Sequence, residues 1–259
     1  MKWQTLTLVT CVGTWIIAMP ASAPQVSVSA LNTLQQQAST QLSGEQLQSL
    51  AKSLTVKILS QEVLGSGILL QKQEEVYTII TNAHVLRAGD PPYKIETPDG
   101  KIYAAVVVKT AKFEGNDLSL LQFRSKSDYA VAKLGATPQA GDEVFAAGFP
   151  FTASPTKDRG FVFRTGKVWR VLDKALEGGY QVGYTNDIEK GMSGGPLLNR
   201  RGEVVGINGM HAYPLWGDPY IFKDGSEPEP ALREQMSRYS WGIPMETFKH
   251  LGFELVNNI

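Results

Sequence analysis

From Thr55 onward the chain is broken too often to hold long helices, and this constrains its fold more than any other feature. Apolar, β-rich runs recur at Thr55–Leu59, Gly65–Leu70, Val76–Ile80, Ile102–Val108, Leu118–Phe123, Val144–Gly148, Phe161–Leu172, Tyr180–Tyr184, Leu197–Leu198 and Val204–Ile207. Gly-, Pro- or Asn/Asp-bearing turns such as Thr97-Pro98-Asp99-Gly100 and Asn199–Gly202 separate them. Gln71–Glu75 splits two of the runs and predicts a hairpin. Many short strands joined by turns predict an all-β sandwich or a pair of barrels. At 259 residues with 25 Gly and 14 Pro, the chain has the length for one domain or for two small barrels sharing a core. Helix signals are few. Ser43-Gly44-Glu45 opens a short amphipathic stretch over Gln46–Ser53, Ala231–Arg238 reads as a short helix, and Pro244 stands as the first helical residue of a segment running to Leu251.

Residues 1–23 read as an export signal. Lys2 supplies the positive start, Leu6–Met19 is mostly apolar but short for a bilayer span, and Ala21-Ser22-Ala23 forms a small-residue cleavage box. Pro24 is awkward immediately after a cut, so cleavage after Ala21 and an uncleaved anchor both stay open. The polar, Gln/Ser/Ala-rich residues 24–42 read as a flexible tether. Cys11 is the chain's one cysteine and lies inside the signal, so a cleaved chain has no disulfide and depends on its core. That suits a bacterial periplasm or exterior better than a eukaryotic secretory route. A formal net charge of zero gives no reason to expect nucleic acid or an anionic membrane as partner.

Three segments carry candidate chemistry. In Gly191-Met192-Ser193-Gly194-Gly195-Pro196, a serine has small neighbours that let a substrate backbone approach and let backbone N–H groups turn toward a developing oxyanion. Thr81-Asn82-Ala83-His84-Val85-Leu86 places His84 where a strand gives way to a turn, and imidazole is the natural base near neutral pH. Asn116-Asp117-Leu118-Ser119-Leu120-Leu121 places Asp117 before a buried strand, where a carboxylate can fix an imidazole's tautomer. Taken singly, each also reads as an ordinary turn or cap. No His/Cys/Asp/Glu group has metal-ligand spacing, so no metal is expected.

Together, in this order, the three segments resemble the signature blocks of trypsin-like serine peptidases of chymotrypsin fold. The likeness is to the disulfide-free bacterial branch that includes glutamyl endopeptidases and HtrA proteins, and within it to secreted cyanobacterial trypsin-like peptidases. It extends over about Thr55–Phe253. The resemblance implies two six-stranded antiparallel β-barrels with short N- and C-terminal helices. The first would span residues 43–135, the second with the C-terminal helix 136–259, and the join would lie near Leu134–Gly141. It implies Ser193 as nucleophile, His84 as base and then acid, Asp117 as orienting carboxylate, and the N–H groups of Gly191 and Ser193 as oxyanion hole. Asp187, six residues before Ser193, falls where trypsin carries its specificity acid, although relatives with Asp there do not all share that preference. Asn208 stands where glutamyl endopeptidases tend to have His. Val205, Gly206, Ile207 and Asn208 would bind extended substrate as an added strand. No cofactor is implied.

Met192 departs from digestive relatives, whose Asp at that position pairs with a newly cut N-terminus. The loop is therefore expected to be ordered by packing or by substrate. Absence of a PDZ module and of cage assembly, and a monomeric state, are further expectations. Met210–Ser240, with Tyr213, Trp216, Tyr220 and Phe222, reads as a cap on one barrel or as a wall of the cleft. The functional expectation is a secreted endopeptidase acting on protein or peptide substrates, away from membranes unless the signal is retained. The alternatives are a catalytically silent peptide-binding module on the same fold and, less consistent with the His, Asp, Ser order, an esterase of another fold.

Overall fold

A computed structural model describes residues 41–60, 62–151, 160–214 and 219–257. The chain divides into Met1–Thr40 and Gln41–Ile259, and every described residue lies in the second unit. The signal, Cys11, nearly all of the tether and Trp216 lie outside the described residues.

The first described element forms as its sequence dictates. Ser43 caps helix α1 (Gly44–Leu54): its hydroxyl accepts from the Gln46 N–H while the Gln46 side chain takes the Ser43 N–H, a reciprocal capping box. Leu47, Ala51 and Leu54 make the buried stripe. Leu50 sits so close over Gly202 that a Cβ there would meet its side chain at 2.5 Å. Thr55 stops the helix, its extended backbone starting strand β1 (Thr55–Leu59).

Strands β2 (Val63–Gln73) and β3 (Val76–Thr81) form the expected hairpin, turning through Glu74 at φ +53°. With β4 (Tyr93–Glu96), β5 (Ile102–Val107) and β6 (Ser119–Arg124) they close a barrel in the order β1-β2-β3-β6-β5-β4. Strands β7 (Glu143–Gly148), β8 (Val162–Val171), β9 (Val182–Tyr184), β10 (Pro196–Leu198), β11 (Val204–Met210) and β12 (Ser240–Pro244) close a second, in the order β10-β11-β12-β9-β8-β7. All the strand pairings are antiparallel. This is the all-β, two-barrel architecture that the resemblance implied.

The apolar runs are continuous rather than alternating because strands facing the neighbouring barrel are buried on both sides. Ile79, Leu121 and Leu69 fill the first barrel, while the adjacent Ile80, Leu120 and Ile68 point out into a core shared with Phe145, Ala147, Leu198, Ile207 and Trp241. Ala146 and Leu197 fill the second barrel together with Val144, Tyr184 and Met192. On β5, Ile102 and Val106 are exposed.

Some elements differ from expectation. Helix α2 (Ala83–Arg87) begins directly after β3, where the sequence indicated only a turn. Helix α3 (Pro230–Met236) starts close to the expected place. Pro244 does not open the last helix: it ends β12, paired with Gly206, and helix α4 (Met245–Asn257) follows. As the last residue of a strand, proline's missing N–H costs little there. Among the described residues, no helix is long and apolar enough to cross a membrane.

Candidate active site

The site is assembled from loops that the two barrels hold against each other. His84 lies in the first turn of α2, whose N-terminal N–H groups have no intrahelical partner. Asp117 supplies their acceptors. Its main-chain carbonyl accepts from the Ala83 N–H at 3.2 Å and from the Asn82 side-chain amide at 3.0 Å, and its Oδ1 accepts from the His84 N–H at 2.8 Å. The same carboxylate reaches the ring, with Asp117 Oδ2 2.5 Å from His84 Nδ1. Two bonds to one residue fix both the position and the orientation of the imidazole, leaving Nε2 as its free nitrogen.

Asp117 is nearly buried, with 9% of its side chain exposed. Burial pushes its carboxyl up, but the hydrogen bond and charge of His84, the Tyr180 hydroxyl and the His84 N–H together outweigh it and hold the carboxyl below its usual value. It is therefore a carboxylate at neutral pH. Arg87 Nη2, 3.4 Å from Oδ1, adds a solvent-exposed positive charge.

Ser193 lies in a loop of the second barrel, beside the same cleft of about 410 Å³ that His84 lines. Its hydroxyl donates to the Gly209 carbonyl at 3.1 Å. In the loop around it, Met192 N–H donates to Glu189, Gly194 N–H to Asn208 and Gly195 N–H to Met192. Among the described residues, no acceptor bonds the N–H groups of Gly191 and Ser193. The orientation of both peptides is nevertheless set, because carbonyl and N–H of a trans peptide point opposite ways. Phe151 N–H holds the Lys190 carbonyl at 2.8 Å, which turns the Gly191 N–H the other way, and Gly195 N–H holds the Met192 carbonyl, which does the same for Ser193. Gly191 adopts φ +95°, and a Cβ there would meet the Phe149 carbonyl at 2.5 Å. Met192 is fully buried among second-barrel residues.

The family described as "Trypsin-like peptidase domain" matches residues 65–207, more than half of the chain. The chain belongs to the trypsin-like peptidase family. Among its relatives, Serine protease HTRA1 of Xenopus tropicalis is 32% identical over 205 residues, covering 74% of this chain and 40% of that protein. Serine protease Do-like HtrA of Bacillus subtilis (strain 168) is 34% identical over 151 residues, covering 56% and 33%. The chain thus spans well under half the length of either. The solved serine endoprotease from Yersinia pestis shares the fold at TM-score 0.60 and 21% identity, covering 83% of this chain and 67% of that one.

The family resemblance also pointed to substrate-binding residues, and here the geometry departs from it. Gly206, Ile207 and Asn208 already have both strand edges engaged, leaving no free edge for an added substrate strand there, and Val205 is buried. On β11, Gly206 and Ile207 pair with β10 on one side, and Gly206, Ile207 and Asn208 pair with β12 on the other. The Asn208 N–H and carbonyl bond Gly195 and Gly194, and its buried side chain bonds Tyr184, Ala147 and Pro196. The β11 residues that do line the cleft are Gly209 and Met210, followed by His211. Asp187 is exposed and does not line it. Of the 210–240 stretch, Pro214 and Pro219 wall the cleft, while Tyr220 is buried against Trp241.

Two residues at the site escaped sequence reasoning. Ser66, fully buried on β2, donates to the Gly191 carbonyl at 2.7 Å and accepts from the Phe149 N–H at 2.9 Å, and its own N–H donates to the Ser193 carbonyl at 2.9 Å. The hydroxyl of Tyr180 donates to Asp117 Oδ2 at 2.5 Å. The glycines flanking Ser66 and the Gly178-Gly179 pair before Tyr180 are the signals of close approach that could have marked them, but neither indicates to what. Among the described residues, no group of His, Cys, Asp and Glu could hold a metal ion.

Proposed function

We propose that this chain is a serine endopeptidase that hydrolyses peptide bonds through an acyl-enzyme on Ser193. The observation that carries the reading is one cleft lined by Ser193 and by an imidazole locked to a buried carboxylate, beside two N–H groups that have no acceptor among the described residues. Ser193 Oγ attacks the scissile carbonyl as its proton passes to His84 Nε2. The carbonyl π electrons move to oxygen, and the Gly191 and Ser193 N–H groups receive the charge. Collapse expels the amine, which takes the proton from His84, and water then repeats the sequence on the ester. The Asp117 carboxylate stabilises the imidazolium in both halves.

In the resting chain the Ser193 hydroxyl is bonded to the Gly209 carbonyl, so attack requires a rotation about one side-chain bond. That bond is also what favours the second reading, a peptide-binding module with a silent serine. Reaction with a fluorophosphonate separates the two. The expected result is one adduct on Ser193, none in Ser193→Ala, and peptide hydrolysis lost with it. A folded wild-type chain that forms no adduct overturns the proposal.

Export belongs to the same reading and is supported by the composition of residues 1–23, and a monomeric state is proposed with it. N-terminal sequencing and sizing of the protein recovered outside the cytoplasm test it. A chain retained with Met1 in the cytoplasm, or a stable oligomer, refutes it.

A further inference from the structure

We propose that Tyr180 is a positioning residue of the catalytic pair: its hydroxyl, delivered from the second barrel, holds the Asp117 carboxylate in register with His84. The inference rests on the peptidase reading above.

The turn before Tyr180 is built for this contact. Gly178 and Gly179 have φ of +76° and +86°, which L side chains rarely adopt. A Cβ on Gly179 would meet Asn116 Oδ1 at 2.2 Å, so the turn lies directly on the residue before Asp117. The Gly178 carbonyl accepts from the Asp117 N–H at 2.8 Å, and the Leu176 N–H bonds the Tyr180 carbonyl at 2.8 Å to close the turn. Lys223 Nζ, 3.2 Å from Asn116 Oδ1, fastens the same corner from the other side.

The ring then needs space, and Gly209 provides it. A Cβ at Gly209 would lie 2.2 Å from Tyr180 Cε1 and 2.7 Å from its hydroxyl oxygen. Gly209 is also the residue whose carbonyl accepts from Ser193. Tyr180 thus packs against the backbone of one site element while bonding the carboxylate of another. Its hydroxyl and His84 Nδ1 share a single oxygen, Asp117 Oδ2, each at 2.5 Å. Two donors converging on that oxygen restrict rotation of the carboxylate and share its charge.

The hydroxyl stays a donor throughout the working range. Burial, then the charge and hydrogen bond of Asp117, hold the phenol well above its usual value. The charged and titratable groups facing this cluster are His84 and Arg87 from α2, Tyr184 from β9, Lys223 beside Asn116, and Asp117 itself.

Tyr180→Phe removes the hydroxyl and leaves the ring. The expected result is a kcat lower by about ten- to a hundredfold with KM within about twofold, as for loss of a hydrogen bond to a charged group that acts on the reaction step. With one donor gone, the carboxylate attracts protons more strongly, so the acid limb of the kcat/KM profile moves to higher pH by about half a unit to one unit. A side chain that served packing alone would leave that limb in place.

In the Asp117→Asn background, Tyr180→Phe is expected to change the residual rate by less than about threefold, because its partner is already altered. An unmoved acid limb, or the same loss in both backgrounds, overturns the inference. If Y180F does not fold, proton NMR of the wild type decides: the His84 Nδ1 and Tyr180 hydroxyl protons give two downfield resonances with a mutual Overhauser effect, and absence of the tyrosine resonance overturns it. Wild type that takes up no fluorophosphonate on Ser193 refutes the peptidase reading instead. Wild-type labelling with an unaltered Y180F refutes only this step.

Discussion

Ser66→Ala tests whether the loop that presents Gly191 and Ser193 is held by the opposite barrel. The substitution removes one oxygen and adds no bulk. It leaves the Ser66 main chain, with its bond to the Ser193 carbonyl and the Thr81 hydroxyl on the Ser66 carbonyl, unchanged. What it strands are the Gly191 carbonyl and the Phe149 N–H, both bonded to Ser66 Oγ. Each such orphan costs about 1–3 kcal/mol, so a destabilisation of about 2–6 kcal/mol is expected. A domain of this size loses about 2–4 °C in Tm per kcal/mol, which puts the drop at about 4–24 °C. The same carbonyl fixes the Gly191–Met192 peptide, which lies between the two N–H donors. Without Ser66 Oγ that peptide keeps only the Met192 N–H bond to Glu189, a looser hold that lets both donors drift from the oxyanion position; complete loss of one donor costs about a hundred- to a thousandfold in kcat. For partial misalignment we expect at least tenfold, with KM little changed. Calorimetry, kcat on a fluorogenic peptide and the fluorophosphonate rate give the three readouts. A Tm within a degree of wild type together with undiminished kcat would refute the reasoning.

Gly191→Ala forces a Cβ to within 2.5 Å of the Phe149 carbonyl and 2.7 Å of the Phe151 N–H at a φ of +95°, so kcat should fall by about a hundredfold or more; a variant that labels at the wild-type rate contradicts this. Glu203 gives a pH test away from the site. Burial pushes its carboxyl up, but donors from Lys133, Asn199 and Arg201 prevail and hold it at about 2, against 4.5 unperturbed. Its stabilisation is therefore complete above about pH 4.5 and lost as pH falls toward about 2. Tm measured from neutrality down through that range should show wild type above Glu203→Gln above about pH 4.5, with the gap closing in acid; a gap independent of pH excludes the linkage.

What the sequence made legible is what local pattern encodes. The strand runs, the Ser43 cap and the three segments bearing His84, Asp117 and Ser193 all announce themselves within a few residues. The short elements did not. β4 has only four residues, α2 only five, and β12 contains Gly242 and Pro244, which argue against a strand when met out of context. Substrate pairing on Val205–Asn208 rests on a linear likeness, which does not show that barrel closure places β12 along the edge of Gly206, Ile207 and Asn208. Ser66 and Tyr180 were out of reach for a different reason. Their partners lie 125 and 63 residues away in the chain, and a lone Ser or Tyr in a strand-like run carries no sign of so distant a bond.

Those two long-range bonds have opposite directions, and the symmetry has a physical consequence. Ser66 reaches from the first barrel to hold the loop of Ser193 in the second; Tyr180 reaches from the second to hold Asp117 of the first. Each barrel thus fixes a candidate-site element of its neighbour. A small shift of one barrel against the other would stretch both bonds at once, and the apolar core shared by Ile68, Ile80, Leu120, Phe145, Leu198 and Ile207 resists such a shift. No disulfide within the chain can do so, since Cys11 is its one cysteine. Packing at the seam therefore governs both stability and alignment of the site. Substitutions there should reduce kcat even where no side chain of the cleft is touched, because interiors packed this tightly transmit displacement rather than absorb it.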